Sequence, residues 1–454
     1  MDHPLLNLHR RRPDGTPSGV IAVCSSHPAV LRAAIEAARQ EGRFLLVEAT
    51  GNQVNQYGGY TGMTPAEFAG AVKMMAGAAG LPADRLFLGA DHMGPIVWKH
   101  EPSQTAMKKA AELVRCCIQA GFEKIHFDTS AACADEAGSR LPVDVAAVRA
   151  AALCRAAEAA AADRVGTAPP IYVIGEDVPP PGGGLEEDDA PSGSDRNPER
   201  FQTRPPGGPL KVTDPEELAA AIDQFGKAFR AAGLEAAWER MVAVVVQPGV
   251  EFGNRTVAGY RREQASKLAA CHSELPGRMT FEVHSADYQA PGAVAQMIED
   301  HFSILKIGPC LTFAYREALF ALAGIEEELP AVSCPSNLRR VMEELMTVRP
   351  EPWKGHYRGP QDALRYLRSY SLRDRIRYYW MLPEARKAVA RLMENLATPV
   401  PDALLHQYLP DLCPAVGNGR RMTPEEVVSR RIRNMLKGYT RAAGNDEKLD
   451  QQSP

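Results

Sequence analysis

The chain has 454 residues, 45% of them hydrophobic, which is enough to bury a large core and more than one ordinary domain needs. Its 52 basic and 56 acidic residues give a net charge of -4, a balance that argues against nucleic acid or a membrane as a bulk partner. No apolar run approaches the roughly 20 residues of a membrane span, and the polar N-terminal segment lacks the apolar core of a signal peptide. We therefore expect a cytoplasmic protein.

Eight short apolar runs alternate with longer, mostly alanine-rich stretches of helical character. In chain order the predicted strands are GVIAVCSS ending near Ser25, FLLVEAT at 44–50, RLFLGADH at 85–92, KIHFDTS at 124–130, IYVIGEDV at 171–178, MVAVVVQPGV at 241–250, MTFEVHSADY at 279–288 and FSILKIGPCL at 302–311. The predicted helices lie at 28–40, 65–79, 103–120, 143–162, 215–232, 260–272, 292–300 and 312–323.

This alternation predicts a closed parallel (β/α)8 barrel, the TIM-barrel fold, over residues 1–334. The alternative is an open doubly wound sheet, in which the first glycine-rich turn would bind a nucleotide. No G-x-G-x-x-G follows the first strand, and no G-x-x-x-x-G-K-[ST] occurs in the sequence. The barrel is therefore the favoured fold.

Two further regions differ in composition from the barrel. The segment 179–209 is dense in Pro, Gly and charge, and we interpret it as a long loop that either covers the site or is simply disordered. From residue 335 the aromatic and basic sequence predicts a helical extension over 335–440, packed beside the barrel or on a partner. Its arginine-rich stretch near 365–377 is interpreted as a solvated or interfacial face, and 441–454 as a disordered tail.

Nine cysteines are scattered along the chain, and none of them forms a C-x-x-C pair. A dispersed, odd-numbered set is typical of reduced thiols in the cytosol. We therefore do not expect a zinc site built from thiolates.

Polar residues stand at the carboxyl ends of the predicted strands, where (β/α)8 barrels carry their reactive groups. They are Glu48, Asp91, His92, His126, Asp128, Glu176, Gln247, Glu251, Glu282, His284 and Lys306. Because strand side chains alternate with period two, His126 and Asp128 share one face, and so do Glu282 and His284. Charged groups would be costly against the helices, so these faces are predicted to point into the barrel.

Two histidines with carboxylates are an ordinary ligand set for zinc or a similar divalent metal. We predict His92 and His284 as ligands with Glu251 as the third, and Asp91 as the acid or base. Further catalytic candidates are Glu176 and Asp128. The alternative is a hydrogen-bonded polar ladder that holds no metal.

The loop after strand two, GNQVNQYGGYTGMTP, offers four amide side chains: Asn52, Gln53, Asn55 and Gln56. Amides both donate and accept hydrogen bonds, which suits a hydroxyl-rich ligand such as a sugar. The alternative is a surface loop whose polar groups satisfy one another.

Lys306, in predicted strand eight, is a further candidate for substrate binding. It could form a Schiff base, as in class I aldolases, or neutralise the phosphate of a sugar ligand. It could equally make an ion pair with Glu282 or Glu48, and the sequence leaves these alternatives open.

Eight long segments, in order, carry the motifs of one family. They are GNQVNQYGGYTGMTP, GADHMGP-x-x-W, KIHFDTS, VIGEDVPPPGG, VVQPGVEFGN, EVHSADYQ, ILKIGPCLTFAYREALFAL and YSLRDRIRYYW. These segments resemble the GatZ/KbaZ family, and the resemblance runs from about Asn7 to about Lys437, nearly the whole chain.

The resemblance implies a barrel that serves as the non-catalytic subunit of class II D-tagatose-1,6-bisphosphate aldolase in tagatose, galactitol or N-acetylgalactosamine catabolism. The expected partner is then the catalytic aldolase subunit, and the expected ligand is a sugar or sugar phosphate; self-association into a homo-oligomer is left open. Such proteins have also been labelled tagatose-6-phosphate kinases. Some relatives are associated with a sugar 4-epimerase activity that depends on a divalent metal.

The sequence is also similar in part to catalytic class II aldolases. Their third strand ends in Asp-His, as Asp91-His92 does here, with the His binding metal and the Asp acting as acid or base. Two later strands supply further metal-binding histidines; His284 matches one, and Glu251 stands in the segment that would carry the other. The glycine-rich phosphate segment of that class, a pattern like HGGSG, is absent.

Three functions follow from these observations. The first is the accessory aldolase subunit. The second is a keto-sugar 4-epimerase that uses Zn, Mn, Co or Ni and works by retro-aldol and aldol steps. The third is a sugar-phosphate kinase, which is disfavoured because such an enzyme needs a phosphate cradle.

Overall fold

Ten strands are present in the computed structural model, which describes residues 3–10, 18–164, 166–175, 210–329, 334–397, 400–413 and 422–444. They are β1 (Val20–Val23), β2 (Leu45–Thr50), β3 (Leu86–Met93), β4 (Lys124–Phe127), β5 (Ile171–Ile174), β6 (Met241–Val246), β7 (Glu251–Phe252), β8 (Val257–Ala258), β9 (Thr280–Val283) and β10 (Ile304–Ile307). Eight of them close into a parallel barrel in the order β1-β2-β3-β4-β5-β6-β9-β10. The other two, β7 and β8, form a short antiparallel hairpin after β6.

Helices surround the barrel and continue beyond it. Those of the barrel are α1 (Pro28–Glu41), α2 (Pro65–Ala79), α3 (Ser103–Ala120), α4 (Val143–Ala162), α5 (Pro215–Ala231), α6 (Glu235–Trp238), α7 (Arg262–Ala270), α8 (Pro291–Glu299) and α9 (Pro309–Glu328). Those that follow are α10 (Leu338–Val348), α11 (Glu351–Lys354), α12 (Gln361–Tyr370), α13 (Pro383–Asn395), α14 (Asp402–Tyr408) and α15 (Pro424–Ala442).

The structure confirms the predicted fold, a (β/α)8 TIM barrel with a C-terminal helical extension, and each predicted strand segment supplies one barrel strand. Local sequence signals define the helix ends. At α2, the Thr64 and Glu67 side chains accept hydrogen bonds from each other's backbone N–H groups. The same helix ends at Gly80, whose φ of 74° suits glycine. The predicted loop at 179–209 lies outside the described residues.

The barrel interior has an apolar lower half and a polar upper half. Inward side chains such as Val20 and Ile304 form a buried apolar cluster at the end where the strands begin. Leu5 and Leu8, from the N-terminal segment, pack into the same cluster and close that end of the barrel. The upper half therefore receives the buried polar groups.

The helical extension packs back onto the barrel. α15 lies against α1, α8 and α9, and Arg431 of α15 donates to Glu317 Oε2 of α9 from Nε at 3.1 Å and from Nη2 at 2.7 Å. A 3-10 helix, Arg375–Tyr378, contacts α9, α11 and α12 and places side chains over the barrel mouth. The interpretation of the arginine-rich stretch as a solvated face is wrong for Arg368 and Arg375, which are only 5% and 7% exposed.

Two further observations concern the cysteines and the helices. All nine cysteines are free thiols. Within the described ranges, no helix has both the length and the apolar character that crossing a membrane requires.

Candidate metal centre at the mouth of the barrel

A cavity of about 290 Å³ opens at the carboxyl ends of the barrel strands, a volume near the lower end for small-molecule sites. Loops that follow β1, β2, β3, β9 and β10 line it, together with the helical extension. Its polar and charged lining residues include Ser25, Ser26, Asn52, Gln53, Asp91, His92, His284, Asp287, Lys306, Arg375 and Arg377.

Asp91 and His92 both face this cavity although they are neighbours on β3. Regular alternation would turn one of them away. The pairing of β3 with β4 shifts register between Ala90 and Met93, and His92 has a φ of 53°, which non-glycine residues rarely adopt. This distortion lets two consecutive side chains line the site, and backbone strain of this kind concentrates at functional sites.

Three imidazoles meet at the floor of the cavity. The ring centroids of His92, His126 and His284 lie 5.2, 5.0 and 5.1 Å apart, and each pair of rings is steeply inclined. His126 belongs to β4, His92 to β3, and His284 directly follows β9. Three different strands therefore bring three imidazoles to one point.

His126 has two acceptor neighbours and one proton to share between them. Its Nδ1 lies 2.8 Å from Asp91 Oδ1, and its Nε2 lies 3.1 Å from the carbonyl oxygen of Gly175. Burial lowers the pKa of His126 and outweighs the attraction of Asp91, so the ring is neutral near pH 7 and carries one N–H. When Nε2–H donates to Gly175, Nδ1 presents a lone pair to the cluster, as metal-binding histidines commonly do.

Two buried lysines form ion pairs with the carboxylates in the polar upper half of the barrel interior. Lys124 Nζ lies 2.6 Å from Glu48 Oε1 and 2.7 Å from Glu282 Oε2. Lys306 Nζ lies 3.1 Å from Glu48 Oε2 and 3.4 Å from Glu282 Oε1, and it also contacts Asp91. The two ammonium groups therefore cross-link strands around the barrel.

These contacts fix the protonation of Lys306 and Asp91. Burial alone would lower the pKa of Lys306, but Asp91 and Glu48 hold it well above its usual value. Burial would raise the pKa of Asp91, but His92 and Lys306 hold it well below its usual range. Since a protonated amine is not a nucleophile, the Schiff-base interpretation of Lys306 loses support, and the ion-pair interpretation matches the geometry.

A group of potential metal ligands lies inside this network. Asp91, His126, Glu282 and His284 each offer one donor atom, and these atoms all lie within 4.8 Å of one another. The buried charged side chains around them are Glu48, Asp91, Asp128, Glu282, Lys124 and Lys306. Four carboxylates therefore face two lysines in this part of the barrel interior. The mixed imidazole and carboxylate set is therefore compatible with a divalent metal.

The family of the chain follows from a match over nearly its whole length. The model of the family described as D-tagatose-1,6-bisphosphate aldolase subunit GatZ/KbaZ-like matches residues 5–444. The chain belongs to this family. The resemblance found in the sequence is thereby confirmed, and so is the coarse function of a tagatose-bisphosphate aldolase subunit.

A strong match to this GatZ/KbaZ-like chain is found among solved structures. The crystal structure of a probable tagatose 6 phosphate kinase from Sinorhizobium meliloti is 38% identical, with a TM-score of 0.82, over 93% of this chain and 100% of that one. Weaker matches are the YdjI aldolase from Escherichia coli and a fructose-bisphosphate aldolase from Campylobacter jejuni. They are 10% and 15% identical, with TM-scores of 0.37 and 0.38, over 83% and 84% of this chain and 90% of each of theirs. Likeness this weak bears on neither fold nor chemistry.

Of the three predicted metal ligands, the structure brings His92 and His284 together, with ring centroids 5.0 Å apart, but of the two only His284 belongs to the group of potential ligand atoms described above. Glu251 lies on the β7–β8 hairpin, where its Oε1 accepts a hydrogen bond from the backbone N of Phe252 at 2.8 Å. Among the described residues, the groups of potential ligand atoms do not include Glu251. Its role as a ligand stays a prediction.

The predicted catalytic carboxylates occupy different positions. Asp91 lies in the cavity lining. Asp128 stands behind His92, with Oδ2 3.1 Å from His92 Nδ1 and Oδ1 accepting from Ser130, so it orients that imidazole. Glu176 lies outside the described residues.

The four amides of the loop after β2 separate into two pairs. Asn52 and Gln53 line the cavity, and Gln53 Oε1 also accepts a hydrogen bond from the backbone N of Thr50 at 2.8 Å. Asn55 Oδ1 accepts from the backbone N of Tyr57 at 2.8 Å, and Gln56 Nε2 donates to the carbonyl of Lys109 at 3.0 Å. Asn55 and Gln56 therefore hold the loop in place, which matches the alternative of a loop whose polar groups satisfy one another. Sugar binding by Asn52 and Gln53 stays a prediction.

The sequence analysis did not choose His126 as a ligand, although a signal was present. Period-two alternation places Lys124, His126 and Asp128 on one inward face of β4. Arg375 and Arg377 were also missed, because nothing in their local sequence indicates that the extension folds over the barrel mouth.

Proposed function

We propose that the chain binds one divalent metal ion, Zn, Mn, Co or Ni, at the histidine–carboxylate cluster and inverts C4 of a keto-sugar or its phosphate. The observation that supports this most directly is the convergence of Asp91, His126, Glu282 and His284 within 4.8 Å. Burying ionisable groups costs stability, so their concentration around the cavity favours a function that uses them.

The inversion breaks and remakes the C3–C4 bond. Loss of the proton from the C4 hydroxyl turns C4 into an aldehyde carbonyl, and the electron pair of the C3–C4 bond stays on C3 as an enediolate. The aldehyde rotates, and C3 attacks its other face. The proton then returns to the C4 oxygen, so no atom is gained or lost and no oxidant is needed.

The residues of the cavity suit these steps. A divalent metal, when bound, supplies Lewis-acid stabilisation of negative charge on oxygen. Asp91 is held as a carboxylate and is the group that accepts the C4 hydroxyl proton and returns it. Lys306, beside Asp91, balances charge at the floor, and Asn52 and Gln53 hydrogen-bond the sugar hydroxyls from the rim.

An Asp91→Asn variant tests this function because it removes the proton acceptor and keeps the shape of the side chain. Since Asp91 also belongs to the cluster, the metal content of the variant is measured as well, and a variant that keeps its metal isolates the loss of the proton acceptor. We expect conversion of tagatose 6-phosphate to fructose 6-phosphate, at saturating metal, to fall by roughly a hundredfold or more. Product chromatography measures the conversion. Asp144→Asn, at the exposed first turn of α4, is the matched control and should retain wild-type turnover. If the metal-saturated wild type turns over neither free nor phosphorylated keto-sugars, the proposal fails.

Family membership supports a second function, support of a catalytic class II tagatose-bisphosphate aldolase subunit. We expect co-expression with that subunit to raise its activity or its lifetime, measured as the half-life of aldolase activity with and without this chain. Asp91→Asn separates the two functions, because it should lose epimerisation and still support the partner. An unchanged half-life would count against the accessory role.

A further inference from the structure

The helical extension gives the cavity a cationic wall. The 3-10 helix Arg375–Tyr378 contributes Arg375, Arg377 and Tyr378 to the lining. The ring of Tyr378 meets the ring of Tyr60, from the loop after β2, edge to face at a centroid distance of 4.9 Å. The extension is thus joined to the barrel rim, and its arginines share one cavity with the histidine floor.

Arg375 is buried without a compensating anion. It is 7% exposed, its Nη1 donates to the carbonyl of Pro352 at 2.9 Å, and among the described residues its Nε has no hydrogen-bond partner. Within the same described part of the chain, no carboxylate lies within 4.0 Å of Arg375 or Arg377. A buried guanidinium without an anion in direct contact is costly, so an anion that binds beside Arg375 would stabilise this wall.

Arg377 is held in position by the protein itself. Its Nη1 donates to the carbonyl of Asp374 at 3.1 Å, and its Nη2 donates to the Tyr378 hydroxyl at 3.0 Å. The Tyr378 ring lies 4.6 Å from the Arg377 guanidinium carbon and 5.7 Å from that of Arg375. Guanidinium groups that are already fixed in this way lose little further conformational entropy when an oxyanion binds.

Other positive groups near the cavity are already engaged. The N-terminus of α9 is capped by Asp287, whose Oδ1 accepts from the backbone N of Gly308 at 3.0 Å and of Cys310 at 2.7 Å. Lys306 is surrounded by carboxylates on the floor. Neither is available to a ligand anion, which leaves the arginine wall as its site.

Asp374, the nearest acid along the chain, attracts Arg377 electrostatically, but its direct contacts lie elsewhere. Asp374 Oδ2 accepts from the Thr312 hydroxyl at 2.6 Å, and its Oδ1 lies 3.9 Å from Arg316 Nε. Both contacts direct the Asp374 carboxylate toward α9 and away from its neighbours in sequence.

We propose that Arg375 and Arg377 form the subsite for the phosphate group of a phosphorylated keto-sugar whose reacting carbons lie over the histidine floor. The identity of the sugar rests on the proposed function, whereas the phosphate subsite does not require turnover. A guanidinium pair matches the planar, multidentate recognition that phosphate oxygens favour.

Calorimetric titration of metal-free protein tests the subsite separately from catalysis. The probes are fructose 6-phosphate, fructose and inorganic phosphate. We expect the wild type to bind fructose 6-phosphate at least tenfold more tightly than fructose, and inorganic phosphate to compete. The double variant Arg375→Met/Arg377→Met should lose at least tenfold in affinity for fructose 6-phosphate and keep its affinity for fructose.

Arg365→Met is the matched control, because Arg365 is an exposed arginine of α12 in the same extension, and it should bind like the wild type. Since Arg377 also bonds the backbone, Arg375→Lys provides a milder variant, expected to lose several-fold in affinity for fructose 6-phosphate. Equal affinity of the wild type for fructose 6-phosphate and fructose overturns the subsite whatever the variants do. Arginine-dependent binding of ATP without binding of the sugar phosphate would overturn the assigned ligand.

Discussion

A His126→Ala variant should retain less than about a tenth of the divalent metal that the wild type carries after purification and dialysis, because loss of a first ligand weakens a site at least as much as loss of an outer-shell partner. His126 offers the cluster a neutral imidazole whose Nδ1 lies 2.8 Å from Asp91 Oδ1. Alanine removes that nitrogen and leaves Asp91 without one of its neighbours. Elemental analysis of metal per chain measures the effect, and His284→Ala should behave in the same way.

The control for this prediction is His272→Ala. His272 lies in the 3-10 helix Cys271–Glu274, in the segment that leads into β9 at the opposite end of the barrel from the cavity. We expect this variant to keep the metal content of the wild type. Added metal should also raise the unfolding temperature of the wild type and of His272→Ala, because a ligand that binds only the folded state stabilises that state. The unfolding temperature of His126→Ala should not change. If the wild type, His126→Ala, His284→Ala and His272→Ala all hold the same amount of metal, neither His126 nor His284 is a metal ligand.

The barrel could be predicted from sequence because each of its units is locally encoded. Apolar runs such as MVAVVV form a strand wherever both faces are covered, and proline and capping residues begin the helices between them. Polar residues at the strand ends then indicate which end of the barrel carries the site. The Asp91-His92 pair and His284 were located by this argument alone.

The remaining parts of the site depend on contacts that no local pattern encodes. Lys124 and Glu282 meet across the barrel interior, and strand periodicity gives their faces but not their pairing. The arginine-rich stretch has the composition of a solvated helix, and only its packing against α9 and α11 reveals that Arg375 is buried. Glu251 was chosen from its position after β6, and the hairpin that carries it has no strong sequence signal.

A Lys124→Met variant should lose about 3–5 kcal/mol of unfolding free energy, because removing one partner of a buried ion pair leaves uncompensated charge in the interior. Lys124 is fully buried and lies 2.6 Å from Glu48 and 2.7 Å from Glu282. Although burial opposes its charge, Glu282 and Glu48 raise the pKa of Lys124 above its usual value. Methionine fills a similar volume, so the loss reports on charge rather than on a cavity. Urea unfolding at pH 7 measures it.

Lys227→Met is the matched control, since Lys227 pairs with Asp223 on the exposed surface of α5 with 60% of its side chain accessible, and such pairs contribute less than about 1 kcal/mol. Adding Glu48→Gln to Lys124→Met should restore part of the lost stability, because it removes one of the two carboxylates that then share Lys306 as their remaining lysine partner. If Lys124→Met and Lys227→Met unfold at the same urea concentration, Lys124 does not stabilise the polar upper half of the barrel interior. The same double variant that regains stability should still bind metal, because neither Lys124 nor Glu48 belongs to the group formed by Asp91, His126, Glu282 and His284.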